Sequence, residues 1–215
     1  MNSKILMAGI VIAAAVLPGI ASAAFVLDTG TPTSGAMAMS LDSGDFYAAE
    51  FSLAAGATVT NIQAYMTNAF FADSPGDTFT LAIYSGNNFL NNRNASAVFA
   101  TQGTYAGDGW NGANGLSWTT STGGNYWAAI EINPPGDTAS QLALPSPTSG
   151  GTVAAKDFAF NDGSGNGYSD VGALPFGIQV TATSPVPLPP SLWLFACGAL
   201  GLGFGVRRKG ARASA

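Results

Sequence analysis

Short runs in which apolar and polar residues alternate recur between residues 46 and 183, separated by segments rich in Gly, Pro, Asn and Asp. In the run Thr78–Tyr84, every second residue is apolar: Phe79, Leu81 and Ile83. A period of two is typical of half-buried antiparallel strands. The best runs predict strands at Phe46–Leu53, Ala57–Thr67, Thr78–Tyr84, Ala97–Thr101, Asn125–Ile132, Val153–Phe160 and Pro175–Thr183. With no convincing helix among them, they predict an all-β fold, an antiparallel two-sheet sandwich resembling a jelly roll.

The first 23 residues have the layout of a secretory signal. Lys4 precedes the apolar run Ile5–Val16, and Ala21-Ser22-Ala23 has the small-x-small pattern of a cleavage site. We expect residues 1–23 to form a signal helix that Sec-type export machinery accepts and that signal peptidase removes before Ala24. The alternative is a permanent N-terminal anchor.

The other end of the chain also has the character of a membrane segment. Leu192–Val206 is apolar and Gly-rich, and Arg207, Arg208 and Lys209 follow it. When the stretch is counted from Val186 and Arg207 snorkels, it reaches the roughly 20 residues that a spanning helix needs. The basic cluster would stay cytoplasmic by the positive-inside rule. The pattern predicts a transmembrane helix over residues 190–206 in the inner membrane; the alternative is a buried core helix.

A proline-containing motif, an apolar stretch and a basic cluster follow one another in the C-terminal segment. Val186, Pro187, Leu188 and Pro189, then the apolar stretch, then the basic cluster, resemble a PEP-CTERM sorting signal of the variant with Leu in place of the common Glu. Pro190 stands where that family usually has a small residue. The resemblance spans about residues 185–210. It implies recognition by an exosortase-like transpeptidase that cuts near the Pro motif, in a Gram-negative bacterium that makes exopolysaccharide.

The region between the two ends resembles, more loosely, the small exported β domains found ahead of interchangeable C-terminal anchors. The segments that carry this likeness are Phe51-Ser52-Leu53, Val59-Thr60-Asn61-Ile62, Leu81-Ala82-Ile83-Tyr84 and Gly124–Ile130. The resemblance implies export and a β fold, and no reaction. The domains expected are therefore a signal peptide at 1–23, a β domain at 24–184 and a sorting tail at 185–215.

The charge of the middle region restricts its partners. It holds all twelve acidic residues but only Arg93 and Lys156 as cations, a net charge of −10. Nucleic-acid binding needs clustered cations, so it is excluded as a function class. Anionic lipid surfaces are disfavoured for the same reason.

Few catalytic chemistries remain open to this composition. The chain has no histidine, and its single cysteine, Cys197, lies in the tail. Ser–His–Asp and Cys–His catalysis are therefore excluded. Gly107–Gly112 is expected to be a Gly-rich turn. The alternative from another class is a carbohydrate-active enzyme using Glu50 and Glu131, which the simpler interpretation places as exposed strand residues.

One loop is a candidate calcium site. Residues 162–170 place polar groups at the alternating positions of an EF-hand-like loop: Asp162, Ser164, Asn166, the Tyr168 carbonyl and Asp170. The bidentate carboxylate of the full motif is missing, because Ala173 stands at that position. We expect either a flexible polar turn or a weak structural calcium site, and no other cofactor.

Aromatic residues suggest a second kind of site. Trp110, Trp118 and Trp127 could stack on sugar rings, for example of exopolysaccharide, or they could pack in the core and at its rim. Taken together, the sequence predicts an exported, non-enzymatic surface or matrix-associated protein. Its precursor is tethered to the inner membrane before it reaches the cell surface or matrix. A permanently tethered surface protein and a carbohydrate-binding or carbohydrate-active protein are the alternatives.

Overall fold

A computed structural model describes residues 22–86, 89–172 and 174–185. Within these ranges the chain contains strands and no helix, which confirms the all-β prediction. None of this part of the chain forms a helix with the length and apolar character needed to span a membrane. Residues 1–21 of the signal helix predicted over 1–23 lie outside the described residues, as do the sorting motif Val186–Pro189, the span 190–206 and the basic cluster. Ala23, the last residue of that predicted helix, is instead the first residue of a strand.

Eleven strands are formed by the described residues, and every pair of them that shares a ladder is antiparallel. They are β1 (Ala23–Asp42), β2 (Phe46–Leu53), β3 (Thr58–Met66), β4 (Thr78–Ser85), β5 (Phe99–Thr104), β6 (Gly109–Thr119), β7 (Gly124–Glu131), β8 (Gln141–Val153), β9 (Phe158–Asn161), β10 (Ser169–Asp170) and β11 (Ile178–Thr183).

The strands follow the order β10-β9-β2-β7-β4-β5-β6-β3-β11-β1-β8 in one curled sheet. Its weakest link joins β5 to β6, where Thr104 opposite Gly112 is the one paired position. The strands therefore form two well-paired groups, β10 to β5 and β6 to β8, that share this single connection.

The inward faces of both groups enclose one hydrophobic core. Its members include Phe51 of β2, Ile62 of β3, Phe79 of β4, Ile130 of β7 and Val180 of β11. All five are essentially inaccessible to solvent. Burying each such side chain contributes about 1.5–3 kcal/mol to folding. The predicted inward face of Thr78–Tyr84 is confirmed, since Phe79, Leu81 and Ile83 are buried.

Several sequence-based boundaries are wrong. Val153–Phe160 is not one strand, because β8 ends at Val153 and β9 begins at Phe158. Gly107–Gly112 is not a turn throughout, because β6 begins at Gly109. The long strand β1 and most of β8 were not predicted. Their Gly, Ser, Thr and Pro residues hide the alternation that marks a strand, and both strands contain irregular pairing.

The first and last strands are neighbours. Ala23 pairs with Thr183 and Ala24 with Ala182, so β1 begins where β11 ends. The predicted cleavage position between Ala23 and Ala24 therefore lies at the start of a paired strand. The start of β1 and the end of β11 therefore lie side by side at one end of this strand pair.

Candidate functional site

A second, smaller group of buried residues covers the outward face of β2, β4 and β7. We call it the outer cluster; its members are Ala48, Ala82, Phe89, Trp127, Ala129, Ala159 and Tyr168. Four alanines form a flat floor on the sheet, and the aromatic rings lie on it. The Phe89 ring stacks on Trp127 with centroids 4.9 Å apart and on Tyr168 with centroids 4.6 Å apart.

Two connecting segments supply the cover of this cluster. Phe89 belongs to the segment after β4, and Tyr168 to the segment between β9 and β10. The amide of Asn91 donates to the carbonyl of Tyr168 at 2.7 Å, and Leu90 forms a parallel bridge with Tyr168. The two segments therefore hold each other on the sheet.

Glu131 lies at the edge of the outer cluster and is buried, with 6% of its surface exposed. Its Oε1 accepts hydrogen bonds from Tyr168 Oη at 2.6 Å and Tyr84 Oη at 2.7 Å. Its Oε2 accepts one from Asn133 Nδ2 at 2.8 Å. The expectation that Glu131 is an exposed strand residue is therefore wrong.

Both tyrosines are held in the protonated, donating form. Burial, and then the charge of Glu131, raise the pKa of Tyr84 and of Tyr168 well above the usual value for tyrosine. A buried carboxylate with this many donors is a satisfied structural group, because its charge is compensated by hydrogen bonds. The arrangement anchors the loop that carries Tyr168 to strand β7.

Glu50 does not join Glu131 in a catalytic pair. Both lie on the outward face, but Glu50 is opposite Trp127, four residues before Glu131 on β7. At about 3.3 Å per strand residue, this separates the two positions by about 13 Å. The two-carboxylate mechanism requires roughly 5–9.5 Å between the groups. The register therefore keeps the pair too far apart for that geometry.

The candidate calcium loop, residues 162–170, contains local turns in which carboxylates accept hydrogen bonds from nearby backbone amides. Asp162 Oδ1 accepts from the amide of Ser164 at 3.0 Å, and Asp170 Oδ1 accepts from the amide of Gly172 at 2.7 Å. Asp170 pairs with Ala159, three residues before Asp162, so the two carboxylate positions are about 10 Å apart along the strand.

Three of the predicted ligands, Asp162, Ser164 and Asn166, are linked by hydrogen bonds, whereas Asp170 lies apart from them. Asn166 donates to Ser164 Oγ at 3.0 Å, and the Tyr168 carbonyl already accepts a backbone hydrogen bond. Across the described ranges, no three acidic or cysteine side chains are grouped so that they could hold a metal ion. Calcium binding by residues 162–170 stays a prediction.

The three tryptophans occupy three different environments. Trp127 is 3% exposed in the outer cluster, so its ring has no free face for a sugar. Trp118 packs on the main core beside Phe99 and Tyr126. Trp110 is half-buried on the outward side of β6, where its ring meets Tyr65 edge to face with centroids 5.6 Å apart.

Trp110 and Tyr65 lie at one corner of a polar sheet surface. We call this surface the amide face; it consists of Asn61, Gln63, Tyr65, Trp110, Asn114, Gln179 and Thr181 on β3, β6 and β11. Its rows follow the register. Asn61 pairs with both Asn114 and Thr181, Gln63 pairs with both Gly112 and Gln179, and Tyr65 pairs with Trp110. These side chains are half-buried or exposed.

Buried acids elsewhere on the domain are fully engaged. Asp28 accepts hydrogen bonds from Gly30, Gln179 and Thr152. Burial opposes its ionisation, but these hydrogen bonds outweigh that effect and lower its pKa. Asp73 accepts from Ser140 and Gln141 in the same manner. These two carboxylates fasten strands and loops to one another.

A cleft of about 160 Å³ lies beside Asp28 and is lined also by Thr148, Phe158 and Pro175. Its one ionisable side chain is the engaged Asp28. The cleft therefore offers little chemistry of its own.

Comparisons with known proteins give distant structural similarity. No family model matches this chain, and no curated protein matches it. The clostridial cysteine protease Cwp84 after propeptide cleavage is similar with a TM-score of 0.46 and 15% identity, over 72% of this chain and 41% of that chain. The cysteine protease and lectin-like domains of Cwp84, a surface layer associated protein of Clostridium difficile, give a TM-score of 0.45 and 14% identity, over 72% of this chain and 37% of that chain. At this level of similarity neither structure indicates an activity for this chain.

The sequence analysis did not predict two arrangements on the outward face of the sheet: the hydrogen bonds of Glu131 with Tyr84 and Tyr168, and the amide face. Nothing local connects Tyr84, Glu131 and Tyr168, which are brought together by the pairing of β4 with β7 and by a loop far along the chain. The amide face did have a local signal. Asn61, Gln63 and Tyr65 alternate with buried residues along β3, which marks a polar outward face.

Proposed function

We propose that this chain is an exported, non-enzymatic surface or extracellular-matrix protein, delivered through its C-terminal sorting signal. The β domain is the exported part, and the two ends direct its handling. Sec-type machinery and signal peptidase would act on the first 23 residues, and an exosortase-like transpeptidase on the segment around Pro187. The inner membrane holds the precursor through residues 190–206. We expect the mature protein to lie in the exopolysaccharide of the bacterium that produces it.

The observation that carries this proposal is the pairing of Ala23 with Thr183. The domain closes through its own first and last strands, immediately inside the two terminal segments. Cleavage before Ala24 removes one residue from the ladder, and a cut near Pro187 falls beyond it. Both segments can therefore be lost while the rest of the ladder between β1 and β11, from the pair Ala24–Ala182 onward, remains.

The absence of an enzymatic role is part of the proposal. The chain has no histidine, Glu131 is committed to two tyrosines and Asn133, and the register separates Glu50 from it. We also infer that the curled sheet is a two-layer sandwich of the jelly-roll type. The shared core and the single connection between β5 and β6 support this.

Cell fractionation tests the sorting role. Replacing Arg207, Arg208 and Lys209 together by Ala should leave the precursor in the inner-membrane fraction, whereas the unaltered chain should reach the cell surface or the medium. Arg93→Ala, which removes an exposed cation of the domain, is the control and should not change the distribution. An unchanged distribution of the triple variant contradicts the proposal.

A further inference from the structure

We propose that the amide face binds a neutral polysaccharide chain, with Trp110 and Tyr65 as its apolar platform. This deepens the proposed function, on which it rests, by naming the component of an extracellular matrix that the domain would contact. It also selects Trp110 among the three tryptophans, because Trp127 is buried and Trp118 packs on the main core.

The chemistry of the face matches that of a sugar chain. A pyranose ring presents C–H groups on its faces and hydroxyl groups around its rim. Aromatic rings pack against the apolar faces, and amide side chains both donate to and accept from hydroxyls. The rings of Trp110 and Tyr65 lie at one end of the face, and Asn61, Gln63 and Asn114 follow along the same strands.

Part of the hydrogen-bonding capacity of this face is unused. Within the described residues, the Asn114 amide, the Thr181 hydroxyl, the Tyr65 hydroxyl and the Trp110 indole N–H make no side-chain hydrogen bond. Asn61 donates to Gln63 at 3.3 Å, and its Oδ1 is buried without a partner. The buried acids of the domain, by contrast, are satisfied. Free donors and acceptors gathered on one face are what a hydroxyl-rich ligand would engage.

Charge favours an uncharged ligand. The region from Ala24 to Ser184 carries a net charge of −10, and neither of its two cations, Arg93 and Lys156, belongs to the strands of the amide face. Lys156 instead donates to Asn125 at 2.9 Å. An acidic polysaccharide would be repelled by this field and would find no cation on the face.

The platform is held on rigid strands. A side chain at Gly177 would begin 2.6 Å from Tyr65 Cβ, closer than side chains approach one another, so glycine there leaves room for Tyr65. Gly112 lies opposite Gln63 and leaves that row without a side chain on β6. Sites on strands position side chains more precisely than sites on loops do.

Affinity gel electrophoresis of the full-length chain in neutral detergent tests the proposal. The probes are dextran, galactomannan and arabinoxylan as neutral chains and alginate as an acidic one. We expect retardation by at least one neutral polymer and none by alginate. Trp110→Ala should weaken the interaction about tenfold, the effect of losing roughly 1.4 kcal/mol of contact. Asn114→Ala and Thr181→Val remove unused polar groups and should each weaken it severalfold.

Phe71→Ala is the matched control, because Phe71 is an aromatic residue that is 89% exposed on the loop after β3 and outside the amide face. It should not change the retardation. Near-ultraviolet circular dichroism establishes that each variant is folded. If Trp110→Ala does not fold, Asn114→Ala and Thr181→Val carry the test.

The inference is overturned by no retardation with any neutral polymer, by equal or stronger retardation with alginate, or by a loss in Phe71→Ala that matches the loss in Trp110→Ala. Retardation that survives all three face variants places the site elsewhere and also overturns it. Mass spectrometry of the termini of the same protein, isolated from exporting cells, reports sorting independently. A chain that is sorted but does not bind, or binds but is not sorted, therefore identifies which proposal has failed.

Discussion

The hydroxyl of Tyr168 donates to Glu131 Oε1 at 2.6 Å, joining a loop between β9 and β10 to the end of strand β7. Both residues are buried, with 4% and 6% of their surfaces exposed. Tyr84 donates to the same oxygen from β4. This contact explains how a Gly- and Ser-rich loop is kept against the outward face of a sheet.

Tyr168→Phe should lower the free energy of unfolding by about 1.5–3 kcal/mol, because it removes a hydrogen bond to a buried charged group. Denaturant unfolding measures this change. Tyr65→Phe is the matched control, since the Tyr65 hydroxyl makes no hydrogen bond within the described residues; it should change stability by no more than about 0.5 kcal/mol. Equal losses in both variants would show that the Glu131 contact is not the cause.

Stability should fall steeply in alkali. Burial raises the pKa of Tyr47 and of Tyr105 to about 12, and the pKa of Tyr84 and of Tyr168 higher still. Above pH 10 the unfolded chain loses protons that the folded chain retains, so the free energy of unfolding decreases as pH rises.

Each such tyrosine contributes a slope of up to about 1.4 kcal/mol per pH unit, beginning near its unfolded pKa of about 10 and ending near its folded value. Below pH 10 these groups contribute no slope. Urea unfolding between pH 9 and pH 11.5 measures the effect. A free energy of unfolding that stays constant over that interval would contradict the burial of these hydroxyls. Tyr105→Phe should reduce the slope by the contribution of one tyrosine.

Phe71→Gly should not destabilise the domain, although it deletes a large side chain. Phe71 has a φ of 54° and its side chain is 89% exposed, so little burial is lost and the strain of a left-handed residue is relieved. We expect a change between zero and a gain of about 1 kcal/mol. Phe70→Gly is the control. Its backbone is outside the left-handed region and it is 41% exposed, so thermal unfolding should report a loss of about 1 kcal/mol.

The sequence predicted the strands whose alternation is strong. Phe46–Leu53 is the same in prediction and structure, and β3, β4 and β7 differ by one or two residues at their ends. In these strands apolar residues occur at every second position, and over Asn61–Met66 of β3 burial follows that period. In β2, β4 and β7 the inward apolar residues are buried, but some of their outward neighbours are buried as well.

The alternation of apolar and polar residues does not predict burial where both faces of the sheet are covered. Trp127 faces outward, yet Phe89 and Tyr168 cover it from segments distant in sequence. The same tertiary contact buries Glu131, which no local pattern could indicate. Strands β1 and β8 escaped prediction because their Gly-, Ser- and Pro-rich middle sections pair with each other as a largely exposed ribbon. Backbone pairing of this kind leaves little apolar signal in the sequence.

How far each site could be predicted depends on how much it relies on the pairing of strands that are distant in sequence. Trp110 was selected from composition, and the pairing of β3 with β6 adds Tyr65 beside it. The role of Glu50 with Glu131 depended on a distance that only the register of β2 on β7 supplies.

The most direct test of the sorting proposal is mass spectrometry of both termini of the protein isolated from cells that export it. We predict a mature chain that begins at Ala24 and ends between Pro187 and Ser191. A chain that retains Ala215, in whichever fraction it is found, would contradict processing at the Pro motif and support permanent anchoring instead.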